Sequence, residues 1–188
     1  MEETAGSPNG RWVLTGAFSR IHDRDELLED LEYAVKPRTS PTVLVLFGFK
    51  KLAERLETLL EPDGNLLLGR IAKRLAESAD LAAVLYEPRR GEFCGLFGGG
   101  LDEVEPVLGE IAADIDEEVK ALGIQTVLGV VSLPGEAKDP IGALRLGDQR
   151  REQLAGKLRP SPRRNAYTRI MATLHIAREP DEPGLPDG

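Results

Sequence analysis

The residues most able to do chemistry in this chain lie in one short stretch that carries charges of both signs. It consists of Tyr86-Glu87-Pro88-Arg89-Arg90-Gly91-Glu92-Phe93. Apolar runs at residues 81–85 and 93–97 flank it, which predicts a β-hairpin with the charged residues at its tip. Arginine suits bidentate contacts with phosphate or carboxylate, and a carboxylate such as that of Glu92 suits a hard metal ion. The tip is therefore the first candidate for an anion or metal site.

The composition indicates a single soluble domain. The chain has 188 residues, of which 41% are hydrophobic and 30% charged, enough for one domain with its own core. Its formal net charge of −8 disfavours nucleic acid as a partner, because phosphate-backbone binding requires a basic surface. No apolar run approaches the roughly 20 residues that span a bilayer, so no membrane association is expected. Cys94 is the only cysteine, which excludes an intrachain disulfide and favours a cytoplasmic location.

Neither histidine suggests a metal centre. His22 and His175 are isolated from each other and from Cys94, with no helical HxxxH pair and no Cys/His cluster. Structural and catalytic zinc sites need several such ligands at short spacing. A zinc site is therefore not expected.

The elements that would position the tip alternate between helical and strand periods. The predicted helices cover about residues 25–35, 50–60, 66–78, 101–122 and 140–156, and the predicted strands cover 42–47, 81–85, 93–97, 125–133 and 166–177. Pro62-Asp63-Gly64 is expected to separate the second helix from the third. Residues 1–10 and the acidic, proline-rich residues 178–188 are predicted to be disordered. Residues 11–177 then form one domain.

Several motifs follow one another in the order found in the GGDEF family, which condenses two GTP molecules into cyclic di-GMP. The hairpin tip resembles the family's signature turn, with Glu92 and Phe93 in its last two positions. The other resembling segments are Leu14-Thr15-Gly16-Ala17-Phe18-Ser19-Arg20, the strand and its ending at residues 43–50, the helix start at residues 64–72, the strand at residues 126–134, and Gly147-Asp148. The resemblance implies an α+β, nucleotidyl cyclase-like fold. A mainly antiparallel central sheet with a ferredoxin-like βαββαβ core would be flanked by helices.

The resemblance also implies that the family's chemistry has been lost. That reaction is a phosphoryl transfer in which divalent metals, held by carboxylates, neutralise the developing charge. The family's metal-binding carboxylates fall here on Val45, Phe47 and Gly91, so Glu92 is only a relic. No catalytic residue, metal site or cofactor is therefore expected, and Mg²⁺ would be needed only by an active enzyme.

By the same resemblance, the family's guanine-recognition site is damaged as well. The family's guanine contacts fall on Ala53, which cannot form a side-chain hydrogen bond, and on Asn65, whose amide still can. Lys50, Arg89 and Arg90 are placed to face phosphates. The candidate nucleotide-binding residues are therefore Asn65, Lys50, Arg89 and Arg90.

Three functions follow from these residues. The first is a degenerate, inactive GGDEF domain of bacterial type that serves as a signalling or protein-interaction module, with a protein partner or a second copy. The second is a metal-independent sensor of GTP or another phosphate ligand, bound through the arginines. The third is an active diguanylate cyclase with rearranged ligands.

We expect that cyclic di-GMP does not bind tightly. Active family members often carry an RxxD motif before the signature turn, and here Glu77 takes the arginine position while Asp80 keeps the aspartate. Exchanging Arg for Glu reverses the charge presented to a phosphate. Titration calorimetry should show no sub-micromolar binding of cyclic di-GMP, and such binding would contradict the prediction.

Overall fold

The structure, a computed structural model, describes residues 5–6, 12–13, 21–79 and 82–157. In chain order its elements are β1 (Ala5–Gly6), β2 (Trp12–Val13), α1 (Arg24–Ala34), β3 (Thr42–Lys50), α2 (Leu52–Thr58), α3 (Glu61–Ala79), β4 (Ala83–Arg89), β5 (Glu92–Gly98), α4 (Leu101–Val119), a 3-10 turn (Lys120–Leu122), β6 (Gln125–Leu133) and α5 (Pro140–Lys157). The first two strands pair only with each other.

Several sequence predictions fall wholly or partly outside these residues. They concern the motif at residues 14–20, Asp80 and the first residue of the strand at 81–85, the strand at residues 166–177 with His175, the disordered tail at residues 178–188, and the disordered residues 1–10, of which only Ala5–Gly6 are described. The described helices and the hairpin follow the predicted order, and β6 has the predicted bounds.

The remaining four strands form one antiparallel sheet in the order β4-β5-β3-β6. β3 lies in the middle, pairing with β5 (Val45 opposite Gly95) and with β6 (Val45 opposite Val130). Non-sequential neighbours require crossover connections, and α3 and α4 provide them. The predicted α+β class, with a ferredoxin-like antiparallel sheet flanked by helices, is confirmed.

Each face of the sheet packs against its own pair of helices. On the α3/α4 face lie Val43, Val45 and Phe47 of β3, among the apolar residues of α3 and α4. On the α1/α5 face lie Leu44 and Leu46, among those of α1 and α5. Successive side chains of a strand point to opposite faces, so a strand buried on both faces needs a continuous apolar run. β3 has such a run, which is why its sequence is apolar as far as Phe49.

The break between α2 and α3 is not where the sequence predicted it. Pro62, Asp63 and Gly64 lie in the first turn of α3, which begins at Glu61, and the chain leaves the helical conformation at Leu59 instead. Proline is tolerated in a first turn, because an N–H at that position has no intrahelical acceptor. The Pro-Asp-Gly pattern therefore starts α3 rather than preceding it.

The chain that precedes α1 covers part of the outer edge of β4. His22 N–H donates to the Leu85 carbonyl (2.9 Å), and Glu87 N–H donates to the His22 carbonyl (2.8 Å). Asp23 then begins α1, with its carboxylate accepting from the N–H groups of Asp25 and Glu26. No helix within the described ranges is long and apolar enough to cross a membrane.

A buried hydrogen bond joins α1 to the sheet. The Tyr86 hydroxyl donates to Asp30 Oδ2 at 2.5 Å, and these residues are 0% and 2% exposed. The pKa of Tyr86 is raised above its usual range. Burial is the largest cause, and the hydrogen bond with Asp30 is the second. The phenol therefore keeps its proton and donates to the carboxylate, a charge-assisted bond in a dry environment.

We expect Tyr86→Phe to destabilise the domain by about 1–3 kcal/mol, because the buried Asp30 carboxylate loses a donor. Tyr33→Phe is the matched control, because Tyr33 is 42% exposed. It should change the free energy of unfolding by less than about 0.5 kcal/mol. Urea denaturation of both variants measures the difference, and equal unfolding midpoints would show that the buried hydroxyl contributes nothing.

Candidate functional site

The candidate site lies at the end of the sheet where β3 finishes. Phe47 of β3 pairs with Phe93 of β5, only two residues beyond Gly91 in the turn. Phe49 contacts the Phe93 ring edge-on, with a centroid distance of 6.1 Å. The hairpin tip and the last residues of β3 therefore share one end of the sheet.

The tip itself is a tight turn, held by a hydrogen bond between Glu87 and the backbone of Gly91. Arg89 pairs with Glu92, which leaves Arg90 and Gly91 as the two turn residues. Gly91 has φ +77°, a backbone conformation that favours glycine, and its N–H donates to Glu87 Oε1 at 2.8 Å. A register shift between Tyr86 and Arg89 marks a bulge just before the turn.

Two of the four predicted nucleotide-binding residues contact each other. Arg90 donates from Nη2 to Asn65 Oδ1 at 2.5 Å and so joins the tip to the first turns of α3. The amide oxygen of Asn65 is the acceptor that could read a guanine N–H group. Here that oxygen already accepts from Arg90.

The other two predicted residues lie elsewhere. Lys50 follows Phe49 and so projects to the α1/α5 face, where its Nζ donates to the Ala155 carbonyl near the end of α5 (3.2 Å). Arg89 is exposed and lies opposite the exposed Glu92. The structure therefore does not gather Asn65, Lys50, Arg89 and Arg90 into one cluster.

Arg151 is a charged neighbour to which the sequence assigned no specific place. Its aliphatic stem lies over β3 and β6, where a Cβ on Gly48 would come within 2.6 Å of Arg151 Cδ. Its guanidinium contacts Asp148 Oδ1 at 2.7 Å. A Cβ on Gly129 would meet the Gly147 carbonyl at 2.0 Å, so α5 can approach the sheet this closely only over glycine. Gly48 and Gly129 are the sequence signal that could have predicted the close approach of α5, and with it the position of Arg151.

The residues present do not fit a divalent metal. Val45 and Phe47 are 0% and 1% exposed within the apolar α3/α4 face, where they offer no oxygen donor. Glu92 is exposed at the start of β5, and Gly91 has no side chain. Among residues 21–79 and 82–157, no three His, Cys, Asp or Glu side chains form a group that could hold a metal ion. Mg²⁺ prefers several carboxylate, phosphate or water oxygens in octahedral geometry.

A second charged contact fixes the link between β6 and α5. Arg150 donates from Nη2 to Glu136 Oε1 (2.7 Å) and from Nη1 to Glu136 Oε2 (2.9 Å). Glu136 Oε2 also accepts from the Ser132 N–H at 2.6 Å, and Arg150 Nη1 donates to the Val130 carbonyl at 2.6 Å. Partial burial alone would raise the pKa of Glu136. The hydrogen bonds from Arg150 and Ser132 outweigh it, and the pKa is lowered.

Comparison with solved structures identifies this architecture. The GGDEF domain of FimX from Pseudomonas aeruginosa matches with TM-score 0.62 and 18% identity, over 73% of this chain and 91% of that one. The active GGEEF domain of a diguanylate cyclase from Vibrio cholerae matches with TM-score 0.58 and 16% identity, over 72% and 91%. The GGDEF domain of DgcB from Caulobacter crescentus, in complex with c-di-GMP, matches with TM-score 0.56 and 16% identity, over 75% and 86%.

This chain has the GGDEF-domain fold. At these identities the likeness establishes the fold and not the activity. No protein-family model and no curated protein sequence matches the chain. The GGDEF resemblance of the sequence is thus confirmed at the level of the fold, and its functional consequences depend on the residues described above.

We expect the stability contributed by Glu136 to depend on pH. Its folded-state pKa is lowered, so the stabilisation is complete above the unfolded-state pKa of about 4.3 and is lost as the pH falls through the folded-state value. Glu136→Gln should therefore cost roughly 1 kcal/mol at pH 7, a value reduced by solvent screening, and little at pH 3.

Glu117→Gln is the matched control, because its 3.4 Å contact with Lys120 is exposed and should contribute almost nothing. Urea denaturation at several pH values measures both variants. A difference between the parent and Glu136→Gln that is the same at pH 7 and pH 3 would contradict the assignment.

Proposed function

We propose that this domain is a catalytically inactive GGDEF domain that acts as a signalling or protein-interaction module in cyclic dinucleotide signalling. One observation carries the proposal. On the central strand, where the resemblance to the family places the carboxylates that the reaction needs, Val45 and Phe47 are fully buried in apolar contacts. The side chains that would coordinate metal are thus replaced by part of the hydrophobic core.

The hairpin tip supports the same conclusion. Arg90 donates to the amide oxygen of Asn65, and Glu87 accepts from the Gly91 N–H. These hydrogen bonds stabilise the tip and join it to α3. Phosphoryl transfer depends on positioning a triphosphate against fixed charges and metals. Glu92 is the one acidic residue left at the signature positions, and it is exposed.

An inactive domain of this kind would act through a partner. The proposed partners are another signalling protein or a second copy of this chain, with neither nucleic acid nor membrane, and the proposed location is the cytoplasm. The net charge of −8 supports the exclusion of nucleic acid. The metal-independent sensor of GTP or another phosphate ligand remains the alternative, because Arg89 and Arg90 are both exposed.

We expect no cyclic di-GMP to form when the protein is incubated with GTP and Mg²⁺ or Mn²⁺. Val45, Phe47 and Gly91 have no side-chain oxygen to coordinate the metal, so we expect that the triphosphate is not activated. Chromatographic detection of the product, with an active diguanylate cyclase as positive control, makes the measurement. Product above the no-enzyme level that disappears in Glu92→Ala would overturn the proposal in favour of the active cyclase.

Thermal shift separates the inactive module from the sensor. A ligand that binds only the folded state raises its stability, by about 2.7 kcal/mol at 100 times its Kd. The inactive module predicts no shift with GTP, GDP or cyclic di-GMP, with or without Mg²⁺. A metal-independent shift with GTP that is lost in Arg89→Glu combined with Arg90→Glu would support the sensor instead.

A further inference from the structure

Helix α3 has an exposed ridge on the side that faces away from the sheet. This outer ridge consists of Pro62, Leu66, Gly69 and Lys73, all of which are exposed. The four residues follow one another at the three- and four-residue spacing of side chains along one face of a helix. The buried residues of α3, such as Ile71, lie on the opposite face. The hydrophobic core of the domain therefore leaves the outer ridge unused.

The start of this ridge is apolar. Leu66 is 65% exposed, and Leu60, the residue before α3, is 76% exposed. These are the two highest values for a large apolar side chain among the described residues. Pro62 lies between them in the sequence. Single exposed leucines are common on protein surfaces, but grouped apolar side chains mark interaction sites.

Gly69 gives an independent reason to expect a partner at the outer ridge. Glycine weakens the interior of a helix, so a packing requirement usually explains it there. Gly147 of α5 has such a requirement, because a Cβ at that position would come within 2.6 Å of Leu46 Cδ1. A Cβ on Gly69 would meet no atom outside its own stretch of helix within 4 Å. The packing within the domain does not require this glycine, whereas a second helix lying across it would.

The charges along α3 change sign from its start to its middle. Glu61 and Asp63 lie in the first turn. Lys73 follows more than two turns later, with its side chain 75% exposed and its contact with Glu77 at 3.7 Å. A second α3 packed antiparallel would bring the acidic start of each helix beside the lysine of the other. The ridge is therefore complementary in charge to a reversed copy of itself.

We propose that the outer ridge is a homodimer interface in which two α3 helices pack antiparallel about a two-fold axis between Leu66 and Gly69. This axis places Leu66 of each chain over Gly69 of the other, and Asp63 beside Lys73 of the other. A two-fold interface must be complementary to itself, and this ridge presents a large apolar side chain, a gap and opposite charges in symmetric positions. The inference rests on the proposed function, since it specifies a second copy of this chain as the partner.

The surroundings of α3 leave the ridge accessible to a second copy. On one flank, Asn65 contacts Arg90 of the hairpin tip. On the other flank, Arg70 donates to Glu118 of α4 at 2.7 Å. The flanks are thus held by the domain itself, and the ridge projects between them. The acidic first turn disfavours an anionic lipid surface in the same place, because such surfaces attract basic segments.

Sedimentation velocity of the full chain tests the proposal. One helix from each chain gives an interface below about 1,200 Å² in total, so a weak dimer is expected. Measurements from about 1 μM to about 1 mM should show monomer giving way to dimer. Monomer at every concentration would overturn the inference and leave the inactive module with another protein as its partner. Cyclic di-GMP formed from GTP would instead overturn the proposed function, whatever the oligomeric state.

Two substitutions on the ridge locate the interface. Leu66→Gln removes the apolar side chain and Gly69→Gln fills the gap, so each should raise the dimer Kd by about 10-fold or more. Gly69→Gln should not lower the urea midpoint of unfolding, because glutamine is the better helix former. Ile141→Gln is the matched control, since Ile141 is an apolar side chain of α5 that is 50% exposed. A dimer that survives both ridge variants, or that is lost in the control, would overturn the proposal.

A charge exchange tests the antiparallel arrangement. Asp63→Lys and Lys73→Glu each bring like charges together at both ends of the symmetric contact, so each variant alone should dimerise less. A one-to-one mixture of the two variants restores opposite charges at both ends and should recover the dimer, less so at high salt. A mixture that associates no better than the separate variants would overturn the antiparallel arrangement.

Discussion

The burial of β3 on both faces is the constraint on which the rest of the structure depends. This strand lies between β5 and β6, and its alternate side chains face two separate helix pairs. An ionised carboxylate on the α3/α4 face, for example at Val45, would lose its hydration with no partner nearby, at a cost of several kcal/mol. These positions of β3 can therefore carry either metal-binding carboxylates or buried apolar side chains. In this chain they carry the apolar side chains of Val45 and Phe47.

At the hairpin tip, polar groups of the turn contact other parts of the domain. Glu87 accepts from the Gly91 N–H, and Arg90 donates to Asn65, so the turn is held to itself and to α3. In a turn that cradles a ligand, such groups would face the ligand instead. The arginines also contact different surroundings, because Arg90 turns toward α3 while Arg89 lies opposite Glu92.

Contacts from neighbouring elements cover parts of both edges of the sheet. At the β4 edge, His22 supplies two backbone hydrogen bonds. At the β6 edge, Asp116, Arg150 and Glu136 bond the outward groups near each end. Exposed edges invite unwanted strand pairing, and side chains placed across them restrict it.

The sequence by itself determined the order of the described elements and, through its resemblance to the GGDEF family, the mainly antiparallel sheet. The order of elements depends on residue type and periodicity, such as the apolar run of β3 and the bounds of β6, which are read locally. The start of α3 was misplaced, because proline is disfavoured within a helix and tolerated in its first turn, and that choice depends on where the helix begins.

Only the tertiary structure decided which charged residues meet. Lys50 was expected to face a ligand, yet it donates to the end of α5, which lies 105 residues away along the chain. The contact of Arg90 with Asn65 and the place of Arg151 over Gly48 likewise join residues far apart in sequence. Long polar side chains have many rotamers of similar energy, so their partners are set by the packing of whole helices against the sheet and not by local pattern.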